Sequence, residues 1–413
     1  MLLKKVRGFP DHLEEDCLKY DSLLSVSAEL LKKFNFSRIN PPVLEYSELF
    51  SRTLGEESDI VNKEMYSFQK GEDSFTLRPE GTAGVARMFI TQKLDQQLPL
   101  RWFYYGPMFR HERPQKGRFR QFHQLGVELL GDKGELADIE ILSLAWLLIK
   151  QLQLESKVCL EINSLGAVEE RAHYKQKLKK FLLDFKNKLS VDSQIRLDKN
   201  PLRIWDSKEE PDQEILKKAP LLKECLKSSS LNKYEKIKQL LTQFKIPFKE
   251  NHRLVRGLDY YNDLVFEWTS QDLGAQSAFL AGGRYDGLIS QLGGKETSAI
   301  GWALGLERLS LLCQTFKPKP LQLAFISSGQ SAQEKAFQLA YELRAEGFSV
   351  YHHFSGNFSK QMKRAGQKCL FALIYGEKEH NKQEIILKNL TQGDQTCLPL
   401  SSLQSELKKK FKV

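Results

Sequence analysis

A chain of 413 residues is long enough for one large core and one or two smaller units, since domains commonly run to about 100–200 residues. The 41% hydrophobic and 28% charged residues are the composition of a soluble globular protein, and no window comes near the roughly 20 apolar residues of a membrane-spanning helix. The 62 basic against 52 acidic residues leave a formal charge of +10, which favours a polyanionic partner such as nucleic acid without requiring one. The start, Met1-Leu2-Leu3-Lys4-Lys5, has two bases but neither the apolar stretch nor the small-residue cleavage site of a secretory signal, so a cytoplasmic protein is expected. The six cysteines, Cys17, Cys159, Cys225, Cys313, Cys369 and Cys397, show no metal-ligand spacing and read as reduced thiols.

Residues 1 to about 165 alternate helical with strand-like stretches. Thr76-Leu77-Arg78-Pro79-Glu80-Gly81-Thr82 joins a strand end to a helix expected over Ala83–Thr91. A carboxylate beside a glycine turn suits an ammonium ligand, while Thr82 serves equally well as an N-cap, and both readings stand here. From Trp102 to Gly131, two strand-like runs flank Arg113-Pro114-Gln115-Lys116-Gly117, whose proline and glycine mark a turn, so a long antiparallel hairpin is expected. Strand alternation puts Arg120, Phe122, Gln124, Gly126 and Glu128 on one face, with Phe119, His123, Leu125, Val127 and Leu129 on the other. The first face is a floor for a polar ligand. Arg110, Arg113, Arg118 and Arg120 crowd within eleven residues, either as surface charge or as planar guanidinium forks matched to phosphate oxygens.

Between 166 and 250 there are 20 Lys/Arg against 13 Asp/Glu, with helical spacing over Tyr174–Leu189 and Tyr234–Phe244. This is either a set of solvated helix faces or an inserted helical subdomain that touches a phosphate backbone. From 251 to about 312 the texture returns to strands rich in glycine and aromatics, the second half of an interrupted first domain. In Leu254-Val255-Arg256-Gly257-Leu258-Asp259-Tyr260-Tyr261 an arginine sits between apolar neighbours, so it should meet a ligand or a structural carboxylate such as Asp259. Ala281-Gly282-Gly283-Arg284-Tyr285-Asp286-Gly287 reads by itself as a turn. Ser298 to Leu312 reads as a short strand running into a helix, in which Glu307 and Arg308 either pair, face solvent or serve a ligand. The prolines of Phe316-Lys317-Pro318-Lys319-Pro320 mark a linker. Beyond it, strands at Leu321–Ile326, Phe348–His352 and Leu370–Tyr375 alternate with helices at Ala332–Glu346 and Lys360–Lys368, which predicts a small α/β domain with a largely parallel core.

Together these segments resemble the histidyl-tRNA synthetase family. Phe36 to Glu48 (F-S-R-I-N-P-P-V-L-E-Y-S-E) is similar to class II motif 1, a dimer-interface element. The hairpin with Phe109-Arg110-His111-Glu112 is similar to motif 2, and Gly305-Leu306-Glu307-Arg308 to motif 3. These carry only the class. Leu254 to Tyr261 and Ala281 to Gly287 are similar to the two signature peptides of the histidine enzymes, and Arg196 to Lys208 (R-L-D-K-N-P-L-R-I-W-D-S-K) resembles the insertion of bacterial-type members.

The resemblance implies an α+β catalytic domain over residues 1–320, built on the class II antiparallel sheet flanked by helices, and interrupted by a helical insertion at about 166–250. It also implies a C-terminal α/β anticodon-binding domain at 321–413. It replaces the parallel βαβ reading that the alternation of the first domain invites. The implied activity is that of a histidine–tRNA ligase: ATP and L-histidine form histidyl-adenylate, and the 3′ end of tRNA(His) then takes the histidyl group, with release of AMP and diphosphate. A homodimer is implied as well. Arg110 and Arg256 are implied to be catalytic, at the α-phosphate, and Arg118 and Arg308 to hold the outer phosphates of ATP with Mg²⁺. Glu128 and Tyr261 would face the imidazole of histidine, and Glu80, Thr82 and Gln124, beside Gly81, its ammonium group. Tyr260 and Tyr285 would line the pocket, while Arg113, Gln115 and Lys116 would read the tRNA acceptor end. No protein-held metal is implied. A rival reading is a non-aminoacylating paralogue that acts as regulatory subunit of ATP phosphoribosyltransferase. Such paralogues lack the C-terminal domain and erode the phosphate-binding arginines, and this chain keeps both.

Overall fold

The computed structural model describes residues 3–55, 60–274, 277–313, 320–352 and 356–411, and the chain divides into two units, Met1–Phe316 and Lys317–Val413. In the first unit, helix α1 (Glu14–Lys33) begins with Glu14, Glu15 and Asp16 and ends on Lys32 and Lys33, a charge order that complements the helix dipole at both ends. The strands β1 (Ser37–Arg38) and β2 (Leu44–Tyr46), helix α2 (Ser47–Leu54), and strands β3 (Tyr66–Lys70) and β4 (Asp73–Leu77) follow. Strands β2, β4 and β3 form a small antiparallel sheet. Helix α3 (Thr82–Thr91) leads into the expected hairpin, β5 (Leu100–Phe109) and β6 (Gln121–Leu130), paired antiparallel from Leu100↔Leu130 to Phe109↔Gln121.

Alternation holds within β6, where Leu125, Val127 and Leu129 enter the apolar core. It fails before the strand. Phe119 lies ahead of β6 and lines the same cleft as Phe122, because the chain turns through a Gln115–Arg118 bridge with Gly117 at φ +70°. The period of two applies only to extended backbone.

The chain continues through α4 (Glu135–Gln151), β7 (Cys159–Ser164), α5 (Val168–Leu183), α6 (Val191–Lys199), α7 (Glu210–Leu216), α8 (Ser228–Gln243) and β8 (Phe248–Glu250). It then returns with β9 (Asn262–Thr269), β10 (Ala278–Arg284), α9 (Leu288–Gln291), β11 (Ala299–Gly305) and α10 (Leu306–Leu312). The main sheet has eight strands in the order β1-β5-β6-β11-β10-β9-β7-β8, and only the edge pairs β1/β5 and β7/β8 are parallel. Residues 281–284 are therefore an inner strand rather than a turn. Their glycines serve close packing: a Cβ on Gly282 would stand 2.1 Å from the Gly301 carbonyl oxygen across the sheet.

One face of the sheet packs on α1, α4 and α8, with Trp146 stacked on Trp268 at 5.5 Å. On the other face a second apolar cluster joins Phe50 and Val85 to Tyr260, Tyr261 and Tyr285, and runs on into Tyr174, Leu178 and Trp205 of the helical insertion. Lys177, Lys180, Lys233 and Lys236 on α5 and α8 are exposed.

The second unit comprises β12 (Leu321–Ser327), α11 (Gln330–Ala345), β13 (Val350–His352), α12 (Phe358–Lys368), β14 (Cys369–Tyr375), α13 (Glu377–Lys382), β15 (Glu384–Asn389), β16 (Gln395–Pro399) and α14 (Leu403–Phe411). Its sheet order is β13-β12-β14-β15-β16. Only β13, β12 and β14 are parallel, so the expected parallel core is extended by an antiparallel pair. The reason is local: the link from β15 to β16 is a tight turn with Gly393 at φ +89°, too short for a crossover. Of the linker expected at 316–320 only Pro320 is described, and Lys412 and Val413 of the basic C-terminal run also lie outside the described residues. Within that run Lys408 pairs with Glu346 at 2.5 Å and Lys409 with Glu406 at 2.9 Å. All six cysteines are free, and no helix of the described residues is long and apolar enough to cross a membrane.

Candidate active site

Glu128, on the central strand β6, is 1% exposed and carries the most distinctive chemistry of the fold. Three hydroxyls donate to its carboxylate: Thr82 Oγ1 at 2.7 Å and Tyr104 at 3.2 Å to Oε1, and Tyr285 at 2.6 Å to Oε2. Burial pushes its pKa up to about 8, while the hydrogen bonds from Tyr285 and Thr82 hold it down. Glycines make the space: a Cβ on Gly126 would stand 2.1 Å, and one on Gly81 2.2 Å, from the Tyr104 ring, and one on Gly301 2.0 Å from Glu128 Oε2.

Glu80 and Thr82 exchange the roles open to them in the sequence. The cap of α3 is the Glu80 carboxylate, which accepts from the backbone N–H of Thr82 at 2.6 Å and of Ala83 at 2.8 Å. Thr82 is the first residue of the helix, and its hydroxyl is free to turn to Glu128. Burial raises the Glu80 pKa, against the pull of these backbone donors and of Arg110. Tyr260 lies 4.7 Å from Tyr261 and 5.9 Å from Tyr285, ring centre to ring centre.

These groups adjoin an open cleft whose wall includes Glu80, Thr82, Gln124, Tyr260 and Tyr261, together with four arginines: Arg110, Arg118, Arg256 and Arg308. Gln124 presents a buried Oε1 that has no partner among the described residues. Arg110 donates from Nε to the Pro79 carbonyl at 2.7 Å and lies 3.7 Å from Glu112, which also pairs with Arg118. Arg256 pairs with Glu267 of β9, not with Asp259, and lies over the Tyr261 ring at 5.1 Å. Glu267 reaches it because the strand turns this single acid out of the buried run Val265-Phe266-Glu267-Trp268. Glu307 and Arg308 neither pair nor face solvent: Arg308 donates to the Ala278 carbonyl, and Glu307 accepts from the His123 backbone N–H at 2.9 Å. Burial, then the charge of Arg118, lowers the Arg308 pKa.

Arg113, Gln115 and Lys116 are exposed on the β5–β6 loop, outside the cleft wall. Arg120, grouped with the arginines by spacing, instead donates to the Glu112 carbonyl at 3.2 Å. Sequence reasoning missed Tyr104, Glu112 and Glu267. For Glu267 the signal was a lone acid in an apolar strand, and for Glu112 a lone acid among arginines.

A mainly antiparallel eight-stranded sheet, with a cleft walled by a carboxylate, tyrosines and four arginines, defines the catalytic domain of a class II aminoacyl-tRNA synthetase. The sequence model described as histidyl-tRNA synthetase matches residues 8–309, and that described as anticodon binding domain matches 322–410. The histidine–tRNA ligase of Rhodospirillum rubrum is 43% identical over 410 residues, 98% of each chain. That of a Cyanothece species is 44% identical over 405 residues, 96% of this chain and 94% of its own. The apo histidyl-tRNA synthetase of S. aureus superposes with a TM-score of 0.81 at 32% identity, covering 97% of this chain and 98% of that one. The chain belongs to the histidyl-tRNA synthetase family.

Proposed function

We propose that the cleft is where this aminoacyl-tRNA ligase joins L-histidine to the α-phosphate of ATP and then passes the histidyl group to the 3′ end of tRNA(His), releasing AMP and diphosphate. The observation that carries the reading is Glu128, a buried carboxylate clamped by three hydroxyls beside a cleft walled by four arginines. A neutral imidazole offers one N–H donor and one nitrogen acceptor, and Glu128 with the Tyr261 hydroxyl supplies both partners. Gln124 Oε1, buried and without a partner, accepts from the α-ammonium group, with Glu80 and Thr82 beside it. An apolar amino acid would leave these groups unpaired, which in comparable sites discriminates by on the order of 10⁴–10⁵-fold.

Beside these groups, Arg110 and Arg256 flank the α-phosphate and the histidine carboxylate, where charge develops as the acyl–phosphate bond forms. Arg118 and Arg308 hold the β- and γ-phosphates, so that diphosphate leaves already neutralised. Glu112 and Glu267, carboxylates on the cleft wall, are each paired with an arginine, so a Mg²⁺ arriving with ATP would be held chiefly by the phosphate oxygens themselves. Such an ion supplies further neutralisation of the phosphate oxygens. Arg113, Gln115 and Lys116, exposed at the loop, meet the acceptor end of the tRNA.

A homodimer in the cytoplasm completes the proposal. The motif 1 segment carries half-exposed Leu44 and Tyr46, and Phe68 of β3, across β4 in the same small sheet, is equally uncovered, which gives an apolar surface. The deciding experiment is histidine-dependent ATP–pyrophosphate exchange by the purified protein, repeated as charging of tRNA. Absence of exchange rejects the reading and favours a regulatory paralogue.

A further inference from the structure

Glu307 is 3% exposed, and among the described residues its only ion-pair partner is the His123 imidazole, whose Nδ1 lies 3.0 Å from Oε1. His12, on irregular backbone ahead of α1, completes a cluster. One ligand atom from each of His12, His123 and Glu307 lies within 4.8 Å of the other two. Asp16 Oδ2 stands 3.9 Å from His12 Nδ1, while His12 Nε2 is buried with no hydrogen-bond partner. A buried carboxylate without a full cation and a buried ring nitrogen without a partner are both unfavourable, and a single divalent ion relieves both.

We propose that His12 Nε2, His123 Nδ1 and the Glu307 carboxylate hold a transition-metal dication of the zinc class. Two imidazoles and one carboxylate select that class, since Mg²⁺ and Ca²⁺ take oxygen ligands. Bonds of about 2.0–2.1 Å place tetrahedral ligand atoms roughly 3.3 Å apart. The His123–Glu307 spacing of 3.0 Å is close to that, and His12 closes the remainder on backbone outside any helix or strand. Asp16, 3.9 Å from His12 Nδ1, is the outer carboxylate that would hold the His12 tautomer once it closes to hydrogen-bond distance. The two histidines lie behind the cleft wall and Glu307 within it: His123 points to the face of β6 opposite Gln124, toward Tyr20 of α1 at 6.0 Å, while Glu307 also lines the cleft. The ion ties the N-terminal segment and the strand of Gln124 to the helix of Arg308. Positions 12, 123 and 307 are too far apart in the chain for any ligand spacing to show them.

Co²⁺ added alone to the tag-free, chelator-stripped full chain tests the site. The expected result is one equivalent bound with a visible ligand-field band, displacement by Zn²⁺, and a rise in Tm with either metal. His12→Ala should lose the band and the Tm rise while keeping pyrophosphate exchange. His12→Cys should restore binding with an added near-ultraviolet thiolate-to-metal absorption, a signature that a purely structural histidine cannot give. Asp16→Asn should weaken Co²⁺ binding by about 10-fold or more. No band in the unaltered chain, or a band with unchanged affinity in His12→Ala, overturns the proposal.

Discussion

Removing Arg256 leaves Glu267 a largely buried carboxylate without its partner, so Arg256→Met is expected to lower stability by about 3 kcal/mol. The double variant Arg256→Met/Glu267→Gln removes both charges and should recover most of that loss. Its pyrophosphate exchange should nonetheless stay down by on the order of 10²–10³-fold, as when one preplaced donor to a developing charge is deleted. Wild-type exchange in the folded double variant would take Arg256 out of the reaction. Glu128 gives a pH prediction. Its folded-state pKa of about 8 lies above the ordinary 4.5, so its contribution to stability is complete below 4.5 and is lost as pH rises toward 8. Denaturant unfolding across that range should show the unaltered chain losing stability relative to Glu128→Gln, and parallel profiles would contradict the raised pKa. Glu128 was legible in the sequence because strand alternation sets it on the polar face with Gln124, and Arg256 because it is a charge between apolar neighbours. Tyr104 was not, since an aromatic in Trp102-Phe103-Tyr104-Tyr105 reads as core. Only its pairing opposite Gly126 turns its hydroxyl to Glu128.

Among elements, the hairpin β5–β6 and the strand-helix step into α10 could be read locally, because turn residues and periodicity are local signals. The strand β10 could not. Adjacent glycines look like a turn until β11 is laid beside them, and that partner is set by tertiary packing. The close approach predicts opposite outcomes within one signature peptide. Gly282→Ala, with its Cβ 2.1 Å from the Gly301 carbonyl oxygen, should cost about 1–3 kcal/mol. Gly287→Ala, with nothing within 4 Å, should change stability by less than about 0.5 kcal/mol. Chemical unfolding of the two variants compares them directly, and equal losses would mean that strand packing does not set the need for glycine at 282.

For the whole molecule, the first unit contains every residue assigned to adenylate formation, and the second has its own core around Leu323, Phe325, Leu343 and Leu373. A chain ending at residue 316 is therefore expected to keep histidine-dependent pyrophosphate exchange and to lose most tRNA charging. Parallel loss of both activities would place part of the adenylate site in the second unit. The charge of +10 pointed to nucleic acid, and the sequence located much of the excess in the helical insertion, but which lysines are exposed depended on how α5 and α8 pack. The sheet order has a further consequence, for synthesis. The floor strand β6 ends at Leu130, yet its neighbour β11 begins only at Ala299. At roughly 5–20 residues per second, the nascent chain leaves one edge of that floor uncovered for about 10–30 s, while the insertion and both signature peptides emerge. The hairpin β5–β6 must wait, half a sheet with an open edge, which makes it a segment in need of protection at the ribosome.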